Sequence, residues 1–364
     1  MWGICLFTTV LLVGCERYKL VDEINLVDVF GFDVVEDKEN EIMTSGIIHL
    51  YRKGQEEEAL VSVIGTGKSA NAALSSANAK SSYPIEIGKA RVMAFTERFT
   101  REQPIKDVVS SVCRDVLVGS NLKIIIINDN LTPFLEKLLK EEGDMLPKQI
   151  EHNMNTHIIP FSNLQIFLYN YYGEGSDPVL PYIVMSENGE ITLEKVGVIG
   201  RQDKLKMVLG RDQSSLLSLI MDNRSSKKMI FNVPIHKEGK VGNLSFNIFT
   251  GKSKLIPKVE KNTFHVNLKI DGLIKDYPSW INLNQDKAFV EKVVKEYMVK
   301  NYTSLFKEFQ KNDVDPLGVG MLFKTKDRKW TEKEFYKTTY PNIDTDLDVA
   351  LNIYQSYLGD TEHD

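Results

Sequence analysis

Between Asp286 and Gln310 apolar residues return every three or four positions: Phe289, Val290, Val293, Val294, Tyr297, Met298, Tyr302, Leu305, Phe306 and Phe309. That spacing places them on one side of an α-helix. About 25 residues rising 1.5 Å each make a rod of roughly 38 Å. Asp286 is a suitable N-cap, and the helix should span 286–311. An apolar stripe of that length needs a flat surface to cover it. The chain before it supplies one, because strands near Met229–Ile235, Val241–Thr250, Lys254–Glu260 and Phe264–Ile270 follow at meander spacing. The sequence thus predicts a C-terminal antiparallel sheet packed against the long helix, with Val290, Val294, Tyr297 and Phe306 turned to the core. The opposite face mixes Lys and Glu evenly, whereas a helix lying in a membrane surface would be biased to basic residues.

The N-terminal half reads differently. Leu26–Asp33 alternates, and a polar turn at 36–40 leads to a second strand near Ile42–Tyr51, which is a hairpin pattern. Another solvated turn, Gly54–Glu58, precedes a strand over Ala59–Ile64. Helical spacing follows over Ala70–Lys80, again after Pro104 (Val108, Val109, Val112, Val116, Leu117), and over Phe134–Glu141 behind Thr132 and Pro133. Lys89–Thr96 and the run Leu122–Asn128 are strands, the second one apolar enough to be buried on both faces. Gly143–Asn155 is poor in apolar periodicity, and a helix should span Asn163–Tyr172 before Val179–Ile183 re-enters a strand. Strands alternating with helices indicate a mixed α/β domain. The boundary falls near residue 188, giving an N-terminal α/β domain over 15–188 and a C-terminal domain over 189–364. After it, Leu193–Ile199 and Leu205–Val208 flank a turn, and Asp212 caps a helix carrying Leu216, Leu217, Leu219 and Ile220.

The first 14 residues stand apart. Ile4–Val13 is apolar except for Thr8 and Thr9, too short to cross a bilayer, which takes about 20 residues, and right for the apolar region of a signal peptide. It closes on Leu12-Val13-Gly14-Cys15, which resembles a bacterial lipobox. That resemblance implies cleavage before Cys15 and diacylglycerol on its thiol, making 1–14 a signal peptide. Two or more acyl chains anchor a protein stably. With Cys5 lost in the signal, only Cys113 remains, in an apolar context suited to a small buried side chain, so there is no disulfide framework. A net charge of -5 and a pI near 5.8 lack the basic footprint of a nucleic-acid binder.

Four constellations bear on chemistry. Gly65-Thr66-Gly67-Lys68-Ser69 ends like a phosphate-binding P-loop, yet the first glycine of that motif is replaced by Ser62. It reads instead as a strand, a turn and a helix capped by Ser69. His152 and His157 lie five apart, which does not put them on one helix face as metal ligands. Asp344, Asp346 and Asp348 have the opening spacing of a calcium loop, but Val349 and Gln355 stand where its Gly and Glu belong. The alternation fits a strand with one wet face. Asp313-Val314-Asp315-Pro316 ends the long helix. There is no Gly-x-Ser-x-Gly and no His-Glu-x-x-His, and no metal or cofactor is expected.

Taken together the chain resembles the Ger(x)C family, the lipoprotein subunits of spore germinant receptors. The resemblance lies in four stretches. They are Cys15 followed by Val29-Phe30-Gly31-Phe32-Asp33; the Gly67-Lys68-Ser69 turn; Asp177-Pro178-Val179-Leu180-Pro181; and, after the long helix, Asp315-Pro316-Leu317-Gly318-Val319-Gly320 with Lys329-Trp330 and an alternating last strand. The family implies a non-enzymatic lipoprotein on the outer face of the spore inner membrane. It implies assembly with two integral-membrane receptor subunits, one of them transporter-like, and a part in nutrient-triggered germination. A lipid-anchored solute-binding protein is the alternative, though such proteins typically pair two α/β lobes. A cell-wall enzyme would require a convergent set of acids or nucleophiles that the sequence does not assemble.

Overall fold

In a computed structural model, residues 24–354 are described apart from Glu39, 51–57, 62–63, Val116, 141–144 and 223–227. Cys15, the signal segment and the turn expected at 54–58 therefore lie outside the described residues, except for Glu58. The N-terminal half runs β1 (Asn25–Val34), β2 (Ile42–Leu50), β3 (Glu58–Val61), β4 (Gly65–Gly67), α1 (Ala70–Lys80), β5 (Ile85–Glu86), β6 (Val92–Thr96), α2 (Glu97–Glu102), α3 (Ile105–Val112), β7 (Lys123–Ile127), α4 (Leu131–Lys140), α5 (Met145–Asn155), α6 (Leu164–Tyr172) and β8 (Val179–Met185). It continues through β9 (Ile191–Ile199), β10 (Leu205–Leu209) and α7 (Arg211–Met221). There follow β11 (Met229–Lys237), β12 (Lys240–Lys258), β13 (Thr263–Asp276), α8 (Leu283–Lys311), α9 (Val319–Lys324), α10 (Glu332–Glu334) and β14 (Asp344–Tyr354).

The mixed α/β reading of the first half holds. Its sheet has the order β10-β9-β8-β7-β6-β1-β2-β3, with β4 on β2 and β5 on β1. The central strands β1, β6, β7 and β8 are parallel, flanked by antiparallel hairpins on both sides. Parallel strands are covered on both faces, so they read as unbroken apolar runs, and all five residues of β7 are buried. One face packs Phe30, Phe32, Phe95, Phe99 and Phe167 beneath α1, α2, α3 and α6. The other packs against Leu135, Ile150 and Leu217 of α4, α5 and α7.

Two local readings change. The stretch 145–155, poor in apolar periodicity, is helix α5, which buries Leu146, Ile150 and Met154 at i, i+4 and i+8. The helix after Pro104 stops at Val112, and Leu117 stands exposed beyond it. The strands after residue 188 stay in the first sheet, which runs on to Leu209.

The C-terminal sheet has the order β11-β12-β13-β14. Two strands expected separately, over 241–250 and 254–260, are one 19-residue strand, β12, bent where its register with β13 slips beside Ser245 and Ile248. The expected antiparallel pairing holds for β11, β12 and β13. The last strand departs from it: β14 joins β13 in parallel. A parallel join needs a long crossover, and α8 provides it. At 29 residues, α8 is roughly 44 Å long. Asn282, rather than Asp286, is its N-cap residue, while the Asp286 carboxylate accepts from Asn282 N at 3.0 Å. In the same way Gly210, not Asp212, precedes α7.

Helix α8 buries Val290, Val294, Met298, Tyr302, Leu305, Phe306 and Phe309. Phe306 stacks on Phe264 of β13 with ring centres 6.0 Å apart. Tyr297, expected in the core, is only half-buried; it meets Phe231 edge-on, and its hydroxyl reaches Asp212 at 3.4 Å. Between the sheets lies α7, whose Leu216, Leu217, Leu219 and Ile220 are all buried. Its serines let it fit: Ser214 and Ser215 donate to the carbonyls of Leu209 and Ile158.

Candidate functional site

The segments that carry the sequence motifs fold into buried polar hubs. At the end of β1, Asp33 is almost wholly buried. One carboxylate oxygen accepts from Val34 N at 2.8 Å, Thr96 Oγ1 at 2.7 Å and Arg98 Nη2 at 3.2 Å; the other accepts from Leu131 N at 3.4 Å. A buried carboxylate persists only when its lone pairs are so occupied. Asp33 thereby ties β1 to the ends of β6 and to the start of α4.

The Gly-Lys-Ser turn is structural. Ser69 is the N-cap of α1, its hydroxyl accepting from Ala72 N at 3.2 Å. The glycines let β4 lie against α1. A Cβ on Gly65 would stand 2.1 Å from Ala73 O, and one on Gly67 would stand 2.7 Å from the Ala72 Cβ. No side chain fits there, which accounts for both glycines without a phosphate.

The densest cluster joins the two halves. After α8 ends, Asp313 takes φ 55°, and Pro316 prevents further helix. Asp315, fully buried, then turns its carboxylate onto the start of α9, accepting from Val319 N at 2.9 Å and Gly320 N at 2.8 Å. Tyr336 donates its hydroxyl to the same group at 2.8 Å. Asp177, in the loop before β8, meets Asp315 reciprocally. Asp177 N donates to Asp315 O at 2.9 Å, and Asp315 N donates to the Asp177 carboxylate at 2.6 Å. Arg201, from the turn after β9, donates to Asp177 at 3.3 Å and to Asp313 O at 2.8 Å, and also pairs with the Asp313 carboxylate. Its guanidinium lies 3.7 Å from the centre of the Tyr336 ring. Gly175 permits the close approach of the two halves, since a Cβ there would meet Met321 N at 2.3 Å.

One guanidinium thus bonds the buried Asp177 and the exposed Asp313, and its charge also acts on the buried Asp315. Burial pushes Asp177 up to about 7 and Asp315 up to about 6, against the opposing pull of Arg201 and the backbone donors. The same burial, beside those acids, lifts the Tyr336 and Tyr340 hydroxyls far above the ordinary phenol value. Every polar atom of this cluster named above has a partner within the chain, so the arrangement is a clamp. An open groove of about 320 Å³ borders it, lined by Lys106, Tyr171, Tyr172, Glu174, Arg201 and Glu332 among others.

The other sequence candidates are dispersed. Cys15 lies outside the described residues. His157 is buried with Nδ1 3.1 Å from the Asp222 carboxylate, and His152 sits on α5. Among the described residues no group of three or more His, Cys, Asp or Glu is placed to hold a metal ion. Asp344, Asp346 and Asp348 lie on the wet side of β14, opposite the buried Leu347 and Val349. Sequence reasoning misses the Asp177–Asp315 pairing. A signal for it is present: two Asp-Pro dipeptides, each set in a glycine-rich segment.

A family model described as spore germination protein N-terminal domain matches residues 17–185. A second, described as spore germination B3/GerAC-like, C-terminal, matches residues 194–357. Spore germination protein GerQC of Bacillus cereus is 27% identical over 365 residues, covering 98% of each chain. Spore germination protein KC of Bacillus subtilis (strain 168) is 20% identical over 389 residues, covering 97% of this chain and 94% of that one. The crystal structure of the GerBC protein superposes with a TM-score of 0.54 at 15% identity, covering 89% of this chain and 97% of that chain, a likeness of fold. Matched in both halves and along nearly its whole length, the chain belongs to the Ger(x)C family of spore germination proteins.

Proposed function

We propose that this protein is the lipid-anchored, non-enzymatic C subunit of a spore germinant receptor. In this reading residues 1–14 are a signal peptide and Cys15 carries the lipid, holding domains 15–188 and 189–364 at the outer face of the spore inner membrane. There it assembles with two integral-membrane receptor subunits and is needed for nutrient-triggered germination. The observation that carries the reading is the match of both family models to one chain, 17–185 and 194–357, with full-length similarity to spore germination proteins. The clamp supports a scaffold, because its acids hold backbone and Arg201 instead of facing a substrate. Among the described residues no helix is long and apolar enough to cross a membrane, and the lipid on Cys15 supplies attachment. Fatty-acid labelling and membrane fractionation test this. Cys15→Ala should abolish the label and release the chain from membranes washed in high salt. A mutant still labelled and sedimenting with membranes would refute the anchor. Failure of the wild-type chain to co-purify with the membrane subunits from spores would refute the receptor role.

A further inference from the structure

Asn25 opens β1, its N–H donating to Pro84 O and its side-chain amide to Tyr83 O. The parallel strands β6, β7 and β8 begin at this same end. Helix α6 lies across it. Leu164 N donates to Leu122 O just ahead of β7, and the Tyr171 hydroxyl donates to Asp203 in the turn between β9 and β10. The helix buries Leu164 and Phe167 and leaves Tyr169 and Tyr172 outside, 64% and 62% exposed. Phe161, Tyr83 and Leu117, the last 66% exposed, stand on neighbouring segments of this end. Five of the twelve exposed large apolar side chains among the described residues therefore belong to one end of one sheet. Tyrosine, with an apolar ring and a polar tip, is suited to a boundary between water and lipid.

The C-terminal half adds charge beside them. Met321 of α9 donates its N–H to Gly175 O, and Tyr169 touches its sulfur at 3.6 Å. The segment that leaves α9 there exposes Lys324, Lys326, Arg328 and Lys329. Its one acid, Asp327, accepts from Lys329 N, and Lys324 pairs with Glu174. Lys106 and Arg114 are exposed on the side of α3, beside Asp107 and Asp115.

We propose that this end of the molecule rests on an anionic lipid surface, through the aromatic outer side of α6 and the basic segment after α9. The orientation rests on Cys15 as the lipid site. Ile24 stands nine positions beyond Cys15, a reach of at most roughly 32 Å. The α6 side lies about 14 Å from β1, three strand spacings away, whereas the far end of the ten-residue β1 lies about 33 Å deeper. A tethered chain therefore meets the bilayer with this end first. Each added cation strengthens binding to an anionic surface by about fivefold, and the charges complement such a surface while the sequence as a whole is acidic.

The test uses the full mature chain carrying Cys15→Ala, so its result is independent of lipidation. Its co-sedimentation is compared on vesicles of phosphatidylcholine alone and of phosphatidylcholine with phosphatidylglycerol. The chain should bind the anionic vesicles, less so in high salt. Tyr169→Ser with Tyr172→Ser, and separately Lys326→Glu with Lys329→Glu, should each weaken binding about tenfold or more. Ile230→Ser with Val241→Ser, exposed on the C-terminal sheet, should leave it unchanged, and melting curves will show that each variant is folded. Absence of binding to either vesicle, or equal losses for the Ile230/Val241 pair, would overturn the proposal. So would capture only by proteoliposomes that hold the receptor's membrane subunits, which would make this end a protein interface. A wild-type chain that takes up no fatty-acid label, while the Cys15→Ala chain still binds the anionic vesicles, would count against the anchor alone.

Discussion

Ser69 and Lys68 are neighbours with opposite expectations. The Ser69 hydroxyl satisfies one of the orphan N–H groups at the start of α1, so Ser69→Ala should cost about 0.5–2 kcal/mol. Lys68 is exposed, and Lys68→Ala should change the melt by no more than about 0.5 kcal/mol. Saturable ATP binding lost with Lys68→Ala would contradict this. Asp177 makes a prediction in pH. Its folded value lies above the ordinary 3.8, at about 7, because burial disfavours the charged form. The folded state therefore binds more protons than the unfolded chain between those values. The resulting stability is fully present below 3.8 and is lost as pH rises towards about 7. Asp177→Asn keeps an acceptor for Asp315 N without the charge. Relative to this variant, wild type should melt progressively lower as pH rises through that window. A constant difference across it would show that Asp177 is ionised throughout.

At the scale of elements, α8 separates what periodicity can and cannot reveal. A three-four pattern identifies the helix and its stripe, since period alone decides which side chains share a side. It does not say where along a broad stripe the partner sits, so Tyr297 reads as core while Met298 and Tyr302 hold that place. Phe306→Ala should therefore cost about 3–5 kcal/mol, and Tyr297→Ala less than half as much in the same urea melts. Lys292→Glu, on the exposed side, should stay within about 0.5 kcal/mol. Equal losses for Phe306 and Tyr297 would refute this assignment of sides. The wet side of β14 is legible because Asp344, Asp346 and Asp348 alternate with Leu347 and Val349. Its parallel pairing is not, since pairing direction depends on the path of the crossover and leaves no local pattern. Helix α5 is hard to read because four buried side chains in eleven residues, one of them Pro147, are hard to tell from chance. The clamp is hidden for another reason. Asp177 and Asp315 are 138 residues apart, and only the fold makes one the partner of the other's backbone.

For the whole molecule the question is whether the halves melt together. Family models divide the chain at about residue 190, yet one apolar cluster runs from Ile125 and Leu135, through Leu217 and Ile220 of α7, to Phe231, Val266 and Phe306. The clamp closes the same boundary with a buried pair of acids around Arg201. A continuous core couples unfolding, because exposing one side of α7 strips the other of its cover. Wild type should therefore show one unfolding transition, with β-sheet loss and tyrosine fluorescence changing at the same denaturant concentration. Leu217→Ala removes a wholly buried side chain at the centre of this contact. It should cost about 2–5 kcal/mol and move that single transition as a unit. Asp315→Ala strands Val319 N, Gly320 N and the Tyr336 hydroxyl, leaving Arg201 with less opposing charge. It should cost about 3–5 kcal/mol, and Asp315→Asn, which still accepts hydrogen bonds, less. Two resolved transitions in wild type, or a Leu217→Ala variant in which only one half melts early, would show that the halves are thermodynamically separate. A loss at Asp315→Ala confined to the C-terminal half would then reduce the clamp to a local cap on α9.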